Sequence, residues 1–165
     1  MEATTVKFYS LKYNRVKTYW VAALFVVGNI VLPQLCHLVP QGGVRWLPIY
    51  FFTLIGAYKY VGLLTAVFSP LLNSMWFGMP PVAGLPAILL KSVLLALAAG
   101  YAASHFKRAS FGLLVAVVLA YQILGTLGEW AIVGDFALAV QDFRIGLPGM
   151  ALQIVGGWLF INRLI

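Results

Sequence analysis

The sequence predicts an all-α integral membrane protein with six transmembrane helices, and three observations lead to this fold class. First, 62% of the 165 residues are hydrophobic and only 9% are charged, whereas soluble domains average about 25% charged residues. Second, the apolar residues form roughly six runs, most of them close to the length of about 20 residues that crosses a bilayer. Third, the segments between these runs are short and rich in Gly, Pro or charge, which leaves no room for a separate soluble domain.

The elements follow one another with recognisable boundaries. A basic amphiphilic arm occupies residues 1–17, and a single transmembrane domain occupies residues 18–165. Pro48 and Pro86 suit the first turn of a helix, where a missing N–H costs nothing. The run that follows Pro48 is rather short for a span. The predicted spans are 19–36, 47–58, 61–77, 86–105, 111–131 and 145–161.

The distribution of charge predicts the orientation. With six spans, both termini lie on the same side, and most of the basic residues fall on that side. Because positive residues are retained in the cytoplasm, both termini are predicted to be cytoplasmic. The same asymmetry explains the net charge of +7 without nucleic acid. The basic residues on this side are Lys7, Lys12, Arg15, Lys17, Lys59, Lys107, Arg108 and Arg163.

Several functional classes find no support in the sequence. The single cysteine, Cys36, excludes an internal disulfide and a cysteine-based metal site. There is no Ser/His/Asp set, no metal-ligand cluster and no phosphate-binding glycine loop. We therefore predict a protein that is not an enzyme, with no catalytic residues, no metal and no cofactor. No cleavable signal peptide is evident at the start of the sequence.

Polar residues inside the spans are the candidates for a binding site. Ser69, Pro70 and Asn73 interrupt the third span, and such residues persist in a membrane only where protein or a cavity covers them. Lys91 lies within the fourth span and Glu129 near the end of the fifth, at a similar depth, so an ion pair between them would lower the cost of both charges. An architectural ion pair and a ligand site are compatible readings.

Helical periodicity groups further residues with these. Ser69, Asn73 and Trp76 share one face of the third span, and Gln122 shares a face with Glu129 in the fifth. Arg144, in the loop after the fifth span, is placed to bind a carboxylate or phosphate. The predicted substrate-binding residues are Asn73, Trp76, Lys91, Gln122, Glu129 and Arg144. A site with both charge signs favours a zwitterionic or heterocyclic ligand over a purely anionic one.

Small residues in the first span have two open readings. Ala22, Ala23 and Gly28 either allow close packing of helices within the protein or face a partner protein. The same packing role is predicted for Gly149 and Gly157 in the sixth span.

Three segments resemble the substrate-binding S component of energy-coupling factor (ECF) transporters, the vitamin-uptake systems of prokaryotes. These are LPIYFFTLIGAYKYVGLLTAVFSPLLNSMWFGMPP, LPAILLKSVLLALAAGYAA and IGLPGMALQIVGGWLF. The length, the number of spans and the orientation are also similar. The sequence departs from the family in one respect: where many members carry Ala-x-x-x-Ala, Ala22 and Ala23 are followed four residues later by valines.

The resemblance implies a function and partners. Such a protein binds a small water-soluble vitamin or precursor on the extracellular side, closed by the loop after the first span. That loop would place His37, Arg45 and Trp46 in a gate. The protein would work in the lipid bilayer with a transmembrane coupling subunit and two ATPase subunits. The coupling subunit would contact it at Ala22, Ala23 and Gly28.

A structural role is the competing interpretation. The small membrane subunit of the bacterial rod-shape machinery is similar in size and number of spans, and it acts as a scaffold. In that case the polar residues hold helices together, and the protein binds no small molecule. The two interpretations differ in whether a ligand co-purifies with the protein.

Overall fold

The computed structural model describes residues 15–59 and 61–164, and these residues are almost entirely helical with no strand among them. Most of the predicted arm therefore lies outside the described residues, and its last three residues belong to the first helix. Within these residues, the nine α-helices are α1 (Arg15–Cys36), α2 (Gly42–Trp46), α3 (Phe51–Ala57), α4 (Gly62–Phe77), α5 (Leu85–Phe106), α6 (Phe111–Val133), α7 (Phe136–Ala139), α8 (Gln141–Arg144) and α9 (Leu147–Leu164).

Three helices of the described chain are long and apolar enough to cross a membrane, namely Val16–Cys36, Leu85–Phe106 and Phe111–Val133. Two shorter apolar helices, Pro48–Ala57 and Gly62–Phe77, lie between them. The all-helical class and the membrane-type composition of the long helices are thus confirmed. The second predicted span is divided into a 3-10 turn (Pro48–Tyr50) and the seven-residue α3.

The helix boundaries have local causes. Gly78 and Gly134 end α4 and α6 in the left-handed conformation, which glycine adopts without steric cost. Ser110 begins α6 because its side chain accepts a hydrogen bond from the Leu113 N–H, 3.2 Å away. Asp135 caps α7 in the same way through the Leu138 N–H. Residues in the segments between the spans therefore determine where these helices begin and end.

The helices pack around α3, which lies at the centre of the bundle. Residues Thr53–Ala57 are all buried, and α3 contacts α1, α4, α5 and α9. Leu54 and Ile55 are completely inaccessible and form the core with Leu95 and Leu114. The short helix of the predicted second span therefore has protein on all sides, which explains how so short a segment is accommodated.

At one end of the bundle, the short helices α2 and α8 pack on each other and on α9, and α7 packs on α6 and α8; we call this the capped end. Two glycines allow close approach there, since a Cβ at Gly146 would lie 2.6 Å from the Asp142 carbonyl oxygen and one at Gly149 would overlap the backbone of Trp46. The close-packing role predicted for Gly149 is confirmed. Gly157 has it too, because its Cβ position lies 2.9 Å from the Leu54 side chain.

Candidate functional site: a charged cluster at the capped end

Lys91, Glu129 and Asp142 form a charged cluster that joins α5, α6 and α8. The Lys91 Nζ lies 2.5 Å from the Glu129 Oε2 and 2.8 Å from the Asp142 Oδ2. The Lys91 side chain is only 3% exposed, whereas those of Glu129 and Asp142 are 17% and 14% exposed. The predicted Lys91–Glu129 ion pair is therefore confirmed, and Asp142 joins it as a second anion. Burial of a lysine is tolerable when carboxylates compensate its charge in this way.

Close packing between α5 and α6 brings Lys91 to its partners. A Cβ at Gly125 would lie 2.5 Å from the Lys91 Cγ, so the lysine stem crosses α6 at a position that only glycine leaves open. One turn further along, Gly128 makes the same space for Leu90. The two glycines therefore let the lysine stem pass α6 and end beside Glu129, which follows Gly125 by four residues on the same face.

A chain of hydrogen bonds lies deeper in the bundle, between α6 and α9. The Tyr121 hydroxyl donates to the Gln153 Oε1 at 2.7 Å and accepts from the Gln122 Nε2 at 3.0 Å. All three residues are fully buried. The other ends of both amides, Gln122 Oε1 and Gln153 Nε2, have no hydrogen-bond partner in the described part of the chain. This series of hydrogen bonds therefore ends in one acceptor and one donor that have no partner among the described residues.

The hydrogen bonds around Tyr121 are connected with the charged cluster by further residues. The Tyr121 ring packs against that of Tyr50 with the centroids 5.6 Å apart and the planes tilted by 52°, and both tyrosines lie within electrostatic range of Asp142. The hydroxyl of Thr126, which lies between Gln122 and Glu129 on one face of α6, is buried without a partner among the described residues. Polar groups thus line one face of α6 from its middle to the capped end, and several have unused hydrogen-bonding capacity.

A second polar network, which we call the amide network, holds α1, α3 and α4 together. The Asn29 Nδ2 donates to the Thr53 Oγ1 and the Ser69 Oγ, each at 3.1 Å, and the Phe52 N–H donates to the Asn29 Oδ1 at 3.1 Å. The Asn73 Nδ2 donates to the Asn29 carbonyl at 2.9 Å and to the Ser69 carbonyl at 2.8 Å. Every side chain of the network that carries a hydrogen-bonding group is fully buried.

Proline explains why Asn73 binds the first helix. Pro33 lies inside α1 and has no N–H, so the carbonyl of Asn29, four residues earlier, loses its regular helical partner. The Asn73 side chain supplies that missing donor. The expectation that protein covers Ser69, Pro70 and Asn73 is confirmed, because all three are buried. Water is absent from the bilayer core, so such internal compensation is required there.

By their hydrogen bonds and exposure, the predicted binding residues fall into four groups. Lys91 and Glu129 meet in the charged cluster, and Gln122 belongs to the hydrogen-bonded chain deeper in α6. Asn73 lies in the amide network, where only its Oδ1 is left without a hydrogen bond from the described residues. Trp76 is 63% exposed and Arg144 is also exposed, so neither side chain is enclosed with the others.

The predicted gate and docking residues also differ in their surroundings. His37, Arg45 and Trp46 are all exposed, and α2 presents Gly42 and Gly43 towards Cys36 and His37. Of the predicted docking residues, Ala23 lies on the exposed surface of α1, while Ala22 is in the core and Gly28 packs on the ring of Phe52. Of these three residues, Ala23 is therefore exposed to a partner helix, Gly28 is partly exposed and Ala22 is not.

Sequence reasoning missed Asp142 and Asn29 as members of these networks. Asp142 had one available signal: it is one of only four acidic residues in the whole chain, and Lys91 needs a counter-charge. Asn29 also had one, since it precedes Pro33 by four residues and so has an unpaired carbonyl in a helix. Both signals show that a residue needs a partner, but neither shows which residue the fold supplies.

Comparison with protein-family models, with curated proteins and with solved structures gives no significant match. The charged cluster can therefore be interpreted only from its own chemistry. In the described residues, no three His, Cys, Asp or Glu side chains are grouped so as to hold a metal ion. The arrangement offers carboxylate oxygens, amide groups and hydroxyls in an apolar surrounding, which suits recognition of a small polar molecule.

Proposed function

We propose that the chain is a membrane-embedded binding subunit for the uptake of a small water-soluble nutrient, such as a vitamin or a vitamin precursor. One observation carries the proposal: Lys91, Glu129 and Asp142 meet at the capped end of a very apolar bundle. Ionisable groups are costly at membrane depth and usually mark a substrate or ion pathway. The unpaired atoms of Gln122, Thr126 and Gln153 support it, because buried polar atoms in native proteins nearly always have a partner.

The proposed topology has six spans with both termini in the cytoplasm of a prokaryotic cell. The end opposite the capped end carries Lys59, Lys107 and Arg108 in the segments between helices, and Lys17 and Arg163 in the terminal helices. The positive-inside rule then directs the capped end outwards. A nutrient dissolved outside the cell would meet α2, α7 and α8 first and reach the charged cluster behind them.

Transport against a gradient needs an energy source that this chain lacks in its sequence, since no phosphate-binding loop is present. By analogy with the S components that the sequence resembles, we propose a transmembrane coupling subunit and two ATPase subunits as partners. The exposed surface of α1 around Ala23, Leu24 and Val27 is the proposed contact with the coupling subunit.

The test is direct binding to the purified protein. Small molecules released on denaturation are identified by mass spectrometry and then added back to measure the dissociation constant and the rise in unfolding temperature. A tight binder gains about 4 kcal/mol at a thousandfold excess of ligand over its dissociation constant. We expect Lys91→Ala and Glu129→Ala each to weaken binding at least tenfold, because Lys91 holds both carboxylates in position and Glu129 supplies one of them. Unchanged affinity in both variants would exclude the cluster as the binding site.

A membrane scaffold similar to the small rod-shape subunit is the second candidate, and the amide network favours it. In that network, hydrogen bonds from polar side chains connect α1, α3 and α4, which is the role a scaffold requires of them. A scaffold predicts that no small molecule is released and that no added compound raises the unfolding temperature. The same purified sample therefore distinguishes the two functions.

A further inference from the structure

The charged cluster carries an excess of negative charge. Lys91 supplies one formal positive charge, while Glu129 and Asp142 each supply one negative charge. The ion pairs compensate only part of this, and the remainder lies where the surrounding helices are apolar. An uncompensated charge in such an environment is costly, and either a positive partner or a proton must offset it.

The geometry leaves atoms available for such a partner. Lys91 binds one oxygen of each carboxylate, Glu129 Oε2 and Asp142 Oδ2. The second oxygens accept no hydrogen bond from any residue in the described ranges. Both side chains keep some exposure, at 17% and 14%, so neither carboxylate is fully enclosed.

The hydroxyl and amide below the cluster have matching capacity. Thr126 precedes Glu129 by three residues and Gln122 precedes it by seven, so all three lie on one face of α6. The Gln122 Oε1 and the Thr126 Oγ1 are buried acceptors that no donor in the described chain reaches. The Gln122 Oε1 can only accept a hydrogen bond, while the Thr126 hydroxyl can accept or donate one, so both can receive an N–H group. The Gln153 Nε2, on α9, is a further open donor beside them.

We propose that the molecule bound at this site carries a cationic group rich in N–H donors, such as an ammonium or amidinium, which binds Glu129 and Asp142. This specifies the ligand of the function proposed above and rests on it. Charge-assisted hydrogen bonds from N–H to carboxylate are among the strongest in proteins, and the cation would also neutralise the cluster. An anionic ligand would instead face two carboxylates that Lys91 alone cannot offset.

The experiment uses three probes of nearly equal shape: benzamidinium, which is positive, benzamide, which is neutral, and benzoate, which is negative. Each is added at millimolar concentration to the purified full-length protein, and the unfolding temperature and dissociation constant are measured. We expect benzamidinium to bind at least about tenfold more tightly than benzamide, and benzoate to bind more weakly still. In Glu129→Gln and in Asp142→Asn, the preference for benzamidinium over benzamide should fall by a similar factor.

The matched control is Asp135→Asn, which removes the same charge from an exposed position at the same end of the bundle. Asn also caps a helix well, so α7 should be preserved and the preference for benzamidinium should remain. Because the comparison among probes is made first on the unmodified protein, poor folding of a variant cannot hide the result.

The possible outcomes distinguish an error in the proposed ligand charge from an error in the proposed binding function. Equal or tighter binding of benzoate, or release of a neutral or anionic molecule from the purified protein, would overturn the cationic ligand and leave the binding function intact. If a proton neutralised the cluster in place of a cationic group, benzamide and benzamidinium would bind equally well. That result would also overturn the proposed cationic ligand. If none of the probes binds and no molecule is released, the binding function itself fails.

Discussion

The charged cluster and the amide network are both buried and polar, yet they differ in how completely their hydrogen bonds are made. In the amide network, both protons of the Asn29 and Asn73 amides are donated to other groups, and only the Asn73 Oδ1 remains open among the described residues. Around the charged cluster, two amide atoms, a hydroxyl and two carboxylate oxygens lack a donor or acceptor from that part of the chain.

Polar groups that connect helices and polar groups that bind a ligand should differ in this respect. A polar group that connects two membrane helices gains stability only if its own hydrogen bonds are completed within the protein. A group that binds a ligand must keep capacity free until the ligand arrives. Polar composition alone therefore does not distinguish the two kinds of group, and the completeness of their hydrogen bonds is a further criterion.

The largest effect is expected for Lys91→Met, which leaves Glu129 and Asp142 adjacent without a counter-charge. We expect the free energy of unfolding to fall by about 3 kcal/mol, because removing one partner leaves the buried charges uncompensated. Reversible unfolding in mixed micelles, followed by tryptophan fluorescence, measures this loss. Lys59→Met, at the opposite end of the bundle, is the control and should change stability by less than about 0.5 kcal/mol. Equal losses in both variants would show that Lys91 has no special role.

The next effect is expected for Asn29→Ala, which removes three side-chain hydrogen bonds of the amide network. Interhelical hydrogen bonds in membranes contribute about 0.6 kcal/mol each on average, so we expect a loss of about 2 kcal/mol in the same unfolding assay. The preference for benzamidinium should stay unchanged, since no hydrogen bond or ion pair within the described residues joins this network to the charged cluster. A lost preference would show that the two networks act as one.

The smallest effect is expected for Gly125→Ala, whose Cβ would lie 2.5 Å from the Lys91 Cγ. The lysine is flexible and can shift, so we expect the stability loss to be about 1 kcal/mol, at the low end for overpacking. The displaced Nζ should nevertheless weaken binding of benzamidinium measurably. Gly112→Ala on the same helix is the matched control, because nothing lies within 4 Å of its Cβ position. A Gly125→Ala protein that binds like the control would show that the path of the lysine is unimportant.

Much of the polar interior was predictable because a helix fixes which residues share a face. Ser69 and Asn73 were predicted to lie together under protein cover, and both are buried. The depths of Lys91 and Glu129 in neighbouring spans predicted their ion pair, which the structure contains. The exposure of Trp76 at 63% was not predictable in this way, since a shared face near the end of a helix can extend beyond its neighbours.

The sequence by itself determined that the chain is helical and apolar, where its long helices break, and which buried polar residues require partners. Only the tertiary structure decided that Asp142 joins Lys91 and that Asn73 serves the carbonyl freed by Pro33. The physical reason is that the 3.6-residue period orders side chains within one helix, whereas the rotation and contact of separate helices arise from packing. Asp142 also lies in a four-residue helix between longer elements, where no periodicity indicates its direction.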